Sequence, residues 1–584
     1  MSAPAPGRLL DRLPGGYQLY AAWLGALRRP GIEWRVSPLN QWRLSHPAPE
    51  GLGGRPRDLR PADAEAGRRI LAGGFVFGGE TLALGPRGDP WDRPSPSRRF
   101  AGALHGFGWV RDLLAHGEAG AWEALRLTLG WRRLFGRWNG FSWSPPVLER
   151  RVFNLACGLA AISGPASDAE ADQIAADLAR QARFLLELPG DPARAAERAA
   201  VAGVAGAALA GAAGEGLLDR ALGELPRRLE AAIADGGHAT RSPQAALELL
   251  FDLMTLDDVL SQLGLATPDE MLRALDRLAG AVRFFTLDDG RLGAFQGGEP
   301  VAGPYVAAAR AEDAAAPHAP VPPACNGYHR LEAHALQVMV DAASPALGPW
   351  SLAACGQPLA IEVLAAGKRL FVGSGWSPQA AGTPALRLVD AASTASVAEA
   401  DCGAPLSGFA ARVLGPRLRD PYAIADVRRQ DTPAGAWLDA SHDAWARSLG
   451  LRHERRLYLD RAADELRGED ALVPRRRAGG AEGRRFVAFV VRFHLHPQVS
   501  ALMARDRKSV LLKVEGQEAG WWLRSDALEV MLQPSTHHED GLTRHGQQIV
   551  LRGQARLDGG AKLRWKLSAA HEPAIAAHVD EQVA

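Results

Sequence analysis

The sequence predicts a chain of two structural halves, an N-terminal α/α toroid followed by an antiparallel β-sandwich. Apolar residues recur at helical spacing between residues 61 and 295 and alternate with a period of two between 326 and 575, and a stretch rich in proline and alanine at 296–325 separates the two regions. Of the 584 residues, 47% are hydrophobic and 23% are charged, which is ordinary globular composition. We therefore expect an N-terminal extension (1–60), a helical domain (61–295), a linker (296–325) and a β domain (326–575).

The helical domain is predicted as a series of amphipathic helices separated by short segments that contain Gly, Pro or Asp. The predicted bounds are Arg98–Ala115, Ala121–Leu134, Pro146–Ile162, Asp168–Leu188, Pro192–Ala213, Glu215–Asp235, Pro243–Leu263 and Pro268–Phe285. Apolar residues lie on one face of 168–188 but cover most of the circumference of 243–263, so the latter should be buried on several sides. Such alternation is typical of a two-layer toroid, whereas a solenoid would need a repeated motif that the sequence lacks.

The β domain is predicted from short segments rich in Val, Leu and Phe with no helix between them. The predicted strands are His334–Val340, Leu359–Leu364, Arg369–Val372, Glu454–Leu459, Phe486–His494, Ser509–Val514, Ala527–Leu532, Gln548–Leu551 and Leu563–Leu567. Many strands without crossover helices indicate antiparallel sheets packed as a sandwich.

Charge and cysteine usage exclude several classes of protein. Lys and Arg total 67 against 66 Asp and Glu, so the basic excess that favours nucleic-acid binding is missing. No apolar run approaches the length of about 18 residues that indicates a membrane-spanning helix. The start of the sequence lacks the pattern of a signal peptide, and the four cysteines are too far apart to predict a disulfide framework. We therefore expect a cytoplasmic protein with reduced thiols.

Several motifs, in this order, resemble the heparinase II/III-like polysaccharide lyases, and in particular proteobacterial homologues without an evident secretion signal. The motifs are FAGALHGFGWVRD (100–112), RWNGFSW (137–143), GGHATRSP (236–243), DGRLGAFQG (289–297), YHRLE (328–332), HERRLY (453–458) and RFHLHP (492–497). The resemblance implies the same toroid-plus-sandwich fold and β-elimination on uronic-acid-containing glycans. It also implies an anionic polysaccharide or oligosaccharide as the partner and a reaction that requires no cofactor.

Removing the C5 proton of a uronate requires donors that neutralise its carboxylate, a base, and an acid for the leaving oxygen. The candidate catalytic residues are His238, Tyr328 and His329, and the candidate substrate-binding residues are Asn139, Arg241, Arg330, Trp138 and Trp143. We expect His238, Arg241 and Tyr328 to line one groove between the two halves. The tyrosine becomes a useful acid–base group only if a neighbouring positive charge, from Arg241 or Arg330, lowers its pKa toward working pH.

Each candidate also has a structural interpretation. Asn139 precedes Gly140 and is more typical of a turn, Arg241 is nearly as well suited to a structural ion pair, and His238 could cap the start of the next helix. Tryptophans of amphipathic helices more often belong to the core than to a glycan platform, and this applies to Trp138 and Trp143.

His494 and His496 lie two residues apart on a predicted strand and therefore project from one face. Such a pair could supply half of a zinc site, and the resemblance implies that some family members bind structural zinc in the β domain. Nothing nearby in the sequence completes a set of four ligands. We expect His537 and His538 to lie in a solvated loop.

The sequence departs from the family pattern at histidine positions. Cys355 stands where relatives have one histidine, Ala392 stands where they have another, and Gln244 begins a segment where many have Tyr and His. Two hypotheses follow: a lyase with a rebuilt site, or a catalytically degenerate glycan-binding or structural relative. A glycoside hydrolase would need two carboxylates across a cleft, and no acidic pair in the sequence indicates one.

Overall fold

The computed structural model describes residues 16–188, 192–313, 320–379, 384–398, 400–475 and 485–570. Its α-helices are α1 (Gly16–Val36), α2 (Pro38–Leu44), α3 (Ala64–Leu71), α4 (Arg98–His105), α5 (Trp109–Leu114), α6 (Gly117–Phe135), α7 (Pro145–Ser163), α8 (Asp168–Glu187), α9 (Ala195–Ala207), α10 (Ala212–Ala232), α11 (Pro243–Gln262), α12 (Asp269–Phe285), α13 (Gly303–Ala311) and α14 (Gly408–Leu414). Helices α3–α12 form the α/α toroid. No helix in these described ranges is long and apolar enough to cross a bilayer.

Local sequence signals fix the helix ends, and packing fixes the helix faces. Ser167 caps α8 in a reciprocal capping box with Glu170, and proline opens α7 and α11. Helix α11 is buried around most of its circumference, as its apolar pattern predicts. The helix predicted over 98–115 is instead two helices, because Phe107 between two glycines adopts a left-handed conformation (φ 62°) that an α-helix cannot contain.

Two antiparallel sheets form the sandwich. Sheet A has nine strands, in the order β21 (Glu529–Glu539), β22 (Leu542–Arg556), β17 (Phe486–Leu495), β9 (Lys368–Val372), β8 (Ile361–Ala365), β7 (Leu336–Asp341), β6 (Tyr328–Glu332) and β5 (Ala324–Cys325), with β10 (Ala395–Val397) also pairing with β17. Sheet B has eight strands, in the order β13 (Ile424–Asp431), β14 (Gly435–His442), β15 (Leu451–Asp460), β16 (Glu465–Pro474), β23 (Ala561–Ala569), β20 (Trp521–Ser525), β19 (Ser509–Val514) and β18 (Val499–Met503).

Sheet A is covered on both faces. Alternate residues of β7, such as Val338 and Val340, join Leu457 of β15 and Trp565 of β23 in the core between the sheets. On the opposite face of β7, Met339 packs into the core of the helical domain. A strand covered on both sides lacks polar alternation, and every residue of β7 and β8 is buried.

Small elements depart from the predicted division into a helical half and a β half. The helical domain carries two hairpins, β1 (Gly74–Phe77) with β2 (Glu80–Ala83) and β3 (Ile233–Ala234) with β4 (Gly237–His238). The predicted linker contains α13, and residues 314–319 of that linker lie outside the described residues. The β domain contains α14 and the two-stranded ribbon β11 (Ala404–Pro405) with β12 (Leu418–Arg419).

Phe493 offers a direct test of the sandwich core. Its fully buried ring stacks on Phe371 (4.7 Å between ring centres) and meets Trp565 of sheet B edge-on (4.8 Å). We expect Phe493→Ala to lower the free energy of unfolding by about 3–5 kcal/mol, measured by urea denaturation. Phe486→Ala, at an exposed position of the same strand, is the control and should change it by less than about 0.5 kcal/mol. Equal effects of the two substitutions would contradict the packing.

Candidate functional site

A buried ion pair between Arg241 and Asp341 lies where the helical domain meets sheet A. Nη2 of Arg241 donates to Oδ1 of Asp341 (2.5 Å), and the guanidinium lies 4.6 Å from the centre of the Tyr328 ring. The other guanidinium donors contact the carbonyl oxygens of Asn326 (3.2 Å), Ala343 (3.0 Å) and Ser344 (3.2 Å). The Tyr328 hydroxyl donates to the carbonyl oxygen of Arg241 (2.8 Å). These contacts commit the guanidinium and the phenol to holding the two domains together.

His238 lies in the same junction, at the end of β4, and is also buried. Its Nδ1 lies 2.7 Å from Oγ1 of Thr240, and its Nε2 lies 3.5 Å from Oε1 of Glu197. Burial alone would raise the pKa of Glu197, but Arg194 and His238 outweigh burial and lower that pKa to about 2. The imidazole therefore faces a buried carboxylate of the helical domain, and no solvent-filled groove.

The predicted groove at His238, Arg241 and Tyr328 is wrong in one respect: the three residues lie close together but are sealed from solvent. They are exposed by 1%, 7% and 0%, respectively. The condition for an acid–base role of the tyrosine, a pKa lowered toward neutral pH, is also not met. Burial raises the pKa of Tyr328 well above its ordinary value, and the Asp341 carboxylate raises it further against the opposing effect of Arg241. The phenol is therefore a structural donor at neutral pH.

The next two candidates follow Tyr328 on β6. His329 points away from Tyr328 and is half-buried, and burial together with the charge of Arg429 lowers its pKa to about 4. Nη1 of Arg330 donates to the carbonyl oxygens of Phe284 (3.2 Å) and Thr286 (2.9 Å), at the end of α12. Arg330 thus caps a helix C-terminus, and the three consecutive residues do not face one site.

The aromatic and amide candidates of the helical domain also have structural partners. Oδ1 of Asn139 accepts the backbone N–H groups of Phe141 (3.1 Å) and Ser142 (2.8 Å), which is the geometry of a turn. Trp143 is buried and its indole N–H donates to the Phe135 carbonyl oxygen (3.0 Å). Trp138 packs, half-buried, against the same core.

The positions where this sequence departs from the family pattern hold no group that titrates near neutral pH. Cys355 is buried, and burial raises the pKa of its thiol to about 11 against the opposing effect of Arg387. Ala392 is buried and carries no polar atom, and the side-chain oxygen of Gln244 accepts the backbone N–H of Glu299 (3.0 Å).

The predicted metal pair does not act as a pair. Nδ1 of His494 contacts the Ser535 hydroxyl (2.7 Å) and its Nε2 contacts the Asp390 carbonyl oxygen (2.9 Å), so both ring nitrogens have partners. His496 follows the end of β17, and its Nε2 lies 3.5 Å from Oε2 of Glu539. The physical reason is that the chain leaves the strand at residue 495, so the alternation that would have aligned the two rings stops there.

His496 belongs instead to a buried cluster with His537 and Glu539, whose ligand atoms all lie within 4.8 Å of one another. His537 and His538 were expected in a solvated loop, but both are buried on β21. The cluster borders a polar pocket of about 310 Å³ at the junction of the two domains. The pocket is also lined by charged side chains, among them Asp289, Arg291, Lys368, Arg369, Asp540 and Arg544. Sequence reasoning missed this set because its members lie about forty residues apart and meet only through strand pairing.

The toroid, the sandwich and the matched residues define the class of this protein. A family model described as heparinase II/III-like, C-terminal, matches residues 323–566. The fold resembles that of heparinase III (TM-score 0.66, 13% identity, 98% of this chain and 93% of the other). It also resembles that of a heparan sulfate lyase HepC mutant from Pedobacter heparinus (TM-score 0.54, 13% identity, 97% and 91%). The chain belongs to the heparinase II/III-like family.

Within the family, one relative is similar along its whole length. FtsZ-localized protein C of Caulobacter vibrioides (strain NA1000 / CB15N) is 50% identical to this chain over 562 residues, which are 96% of this chain and 97% of that protein.

Removing the Asp341 carboxylate tests whether the junction is structural. Asp341→Ala leaves the Arg241 guanidinium buried without its counter-charge, so we expect the free energy of unfolding to fall by about 3–5 kcal/mol. Asp439→Ala removes an exposed partner of Arg456 and should change it by less than about 1 kcal/mol. Urea denaturation followed by tryptophan fluorescence measures both, and similar midpoints for the two variants would contradict the assignment.

His494 predicts a dependence of stability on pH. Burial lowers its pKa to about 4 in the folded protein, whereas an unfolded histidine takes up its proton near pH 6.5, at about the model-peptide value. Between these values the unfolded chain holds the extra proton, so the contribution of His494 to stability is lost as pH falls from about 6.5 to 4. We expect His494→Gln to weaken the fall in melting temperature over this interval, while His545→Gln, at an exposed position on β22, leaves it unchanged. Identical pH profiles for His494→Gln and the wild type would refute this role.

Proposed function

We propose that this chain is a catalytically inactive member of the heparinase II/III-like family that localises with FtsZ on the cytoplasmic side of the bacterial envelope. One observation supports the loss of catalysis above the others: the residues that resemble an acid–base set are sealed inside the domain junction, where their polar atoms hold the fold together.

Among the described residues, the candidates for β-elimination discussed above are committed to other contacts or carry no suitable group. The guanidinium of Arg241 is already bonded to a carboxylate and three carbonyl oxygens, so it is not available to neutralise a uronate. The raised pKa of Tyr328 keeps the proton on the phenol, as a general acid requires. Burial of that hydroxyl nevertheless keeps the leaving oxygen of a substrate out of reach. Cys355 and Ala392 supply neither base nor acid at the family's histidine positions.

The division-site role is supported by the similarity to FtsZ-localized protein C, which extends over nearly all of both chains. The two proteins are 50% identical, and the match covers 96% of this chain and 97% of the other. The alternative, β-elimination on a uronate-containing glycan, is supported by family membership and fold, and fold alone does not imply chemistry.

The N-terminal helices present a surface suited to attachment. One face of α1 packs against α14 through Ala21. The opposite face carries large apolar side chains, three of them at a spacing of four residues, and α2 exposes two more. The exposed residues are Leu19 (72%), Trp23 (59%), Leu27 (58%), Trp34 (46%), Leu39 (60%) and Trp42 (61%). We refer to these six as the N-terminal apolar face. Exposed large apolar side chains in this number on two consecutive helices indicate an interaction site.

The composition of this segment favours a lipid surface as the occupant. Residues 16–44 contain four arginines against one glutamate, together with the exposed tryptophans. Helices that lie in the interface of an anionic bilayer combine apolar and aromatic residues with Arg or Lys in this way. We propose that the N-terminal apolar face docks on anionic membrane and so places the protein beside the division machinery.

Lyase activity is tested by incubating the purified full chain with heparan sulfate, alginate and chondroitin and following the ultraviolet absorbance of the unsaturated product. We expect no increase with any of them, and a heparinase III preparation serves as the positive control. Steady product formation by the wild type, lost in Tyr328→Phe at unchanged melting temperature, would overturn the inactive assignment.

Attachment is tested by sedimentation with vesicles of phosphatidylcholine and phosphatidylglycerol. We expect Trp23→Glu/Leu27→Glu to abolish co-sedimentation and to disperse a fluorescent fusion from the FtsZ ring, because two charges would enter the apolar boundary of the bilayer. Trp122→Glu, at an exposed tryptophan of α6, is the matched control. If the double variant still binds vesicles but no longer co-sediments with FtsZ filaments, the occupant is FtsZ and the lipid proposal fails. Failure of the wild type to localise with FtsZ would overturn the division-site role itself.

A further inference from the structure

The cluster of His496, His537 and Glu539 leaves two imidazole nitrogens without hydrogen-bond partners. Nε2 of His496 and Nε2 of His537 are both inaccessible to solvent and unpartnered. The two rings lie 5.4 Å apart between centres and are steeply inclined (68°), so that they do not stack. Buried polar atoms in folded proteins nearly always have a partner, and exceptions call for an explanation such as an ion.

We infer that His496, His537 and Glu539 bind one divalent transition-metal ion of the zinc class. Two imidazole nitrogens and one carboxylate oxygen form a donor set used in open zinc sites, in which a water molecule completes the tetrahedron. The pocket of about 310 Å³ that the cluster borders supplies room for that fourth ligand. The site differs from the predicted pair because His494 is excluded by its own partners.

His537 is held in the orientation that ligation requires. Its Nδ1 lies 2.9 Å from the carbonyl oxygen of Gly373 and must carry the proton to donate there, which leaves the lone pair on Nε2. Gly375 lies in the loop that follows β9, and its lack of a Cβ allows this loop to approach β21 closely. A Cβ at its position (φ 66°) would lie 2.3 Å from the His538 carbonyl oxygen.

The other two ligands need little rearrangement. Nδ1 of His496 accepts the backbone N–H of Gln498 over a long distance of 3.3 Å. Ligation at Nε2 transfers the imidazole proton to Nδ1, so this weak contact is the one that is lost. Oε1 of Glu539 lies 3.4 Å from Arg291, whereas Oε2 faces His496. The arginine thus orients the carboxylate without occupying the oxygen that would bind the ion.

Two of the four cations around the cluster are paired with carboxylates that are not proposed ligands. Arg291 pairs with Asp540 (2.8 Å) and Arg369 pairs with Asp289 (2.6 Å). Arg544, 4.0 Å from Glu539, is partly exposed, and Lys368 is exposed at the pocket wall. The repulsion of these two cations is screened by solvent more strongly than the attraction of the buried carboxylate.

The test uses the full chain, stripped with a chelator, dialysed and titrated with zinc chloride. We expect about one equivalent of zinc to remain after gel filtration, a rise in melting temperature, and visible absorption when cobalt(II) replaces zinc. His537→Gln and Glu539→Gln should each weaken binding at least about tenfold and abolish the thermal shift. His538→Gln is the matched control, because this neighbour on the same strand contacts Thr543 (3.1 Å) and not the cluster.

Other results would overturn the inference. They are the absence of zinc and cobalt binding by the wild type, retention of full binding by both ligand variants, and equal loss of binding in His538→Gln. Circular dichroism of the metal-free variants distinguishes loss of a ligand from loss of fold, and Glu539→Asp provides a second variant that keeps the charge. Because vesicle binding depends on α1 and α2 and metal binding on residues of the β domain, these outcomes are independent of the proposed function.

Discussion

The placement of the two domains depends on one desolvated ion pair, Arg241 with Asp341. A buried guanidinium is tolerated only if its donors are satisfied, and here a carboxylate, three carbonyl oxygens and the face of Tyr328 satisfy them. The second oxygen of Asp341 accepts the side-chain amide of Gln296 (2.8 Å) at the end of the helical domain. The loop that holds Arg241 and the segment that holds Gln296 are thereby fixed to strand β7 through the one carboxylate of Asp341. Any repositioning of one domain would leave a buried charge unpaired.

The residues of this ion pair stabilise the fold whether or not the protein catalyses a reaction. A polymer-cleaving site must admit a chain of sugars, whereas the part of the junction around Arg241, Asp341 and Tyr328 is filled by the residues that stabilise it. The same sealing explains why Cys355 can replace a histidine without cost to the structure, since its backbone N–H donates to Gln296 (3.0 Å) and its thiol needs no strong partner. The fold therefore accommodates Cys355 and Ala392, both buried, at positions where the family resemblance implies histidines.

The sequence predicted the elements whose burial produces a clear period. Helices α7, α8 and α11 begin and end within one or two residues of the predicted bounds, and β19 agrees with its predicted bounds. Strands β13 and β16 were missed, because β13 is an edge strand with mostly exposed residues and β16 carries charges that pair across sheet B. Exposed or charge-paired strands lack the apolar alternation on which such prediction depends.

The candidate site was predicted less well, for a different reason. Residue type and proximity in sequence brought together His238, Arg241 and Tyr328, and the structure does place them side by side. Neither property indicates whether a side chain faces solvent or is enclosed by a second domain. Likewise, the sequence around His537 is typical of a polar loop. In the structure the long hairpin of β21 and β22 buries this residue and places it beside His496.

The strand order of sheet B has a consequence for how the chain is made. Its last strand in the described sequence, β23, lies in the middle of the sheet and pairs with β16 on one side and β20 on the other. Until residues 561–569 have left the ribosome, β16 and β20 each expose an unpaired edge, and the apolar residues facing sheet A remain uncovered. The helical domain can therefore form during synthesis, whereas the sandwich must wait until residues 561–569 have emerged, and a chain that stops before residue 561 loses the centre of a sheet.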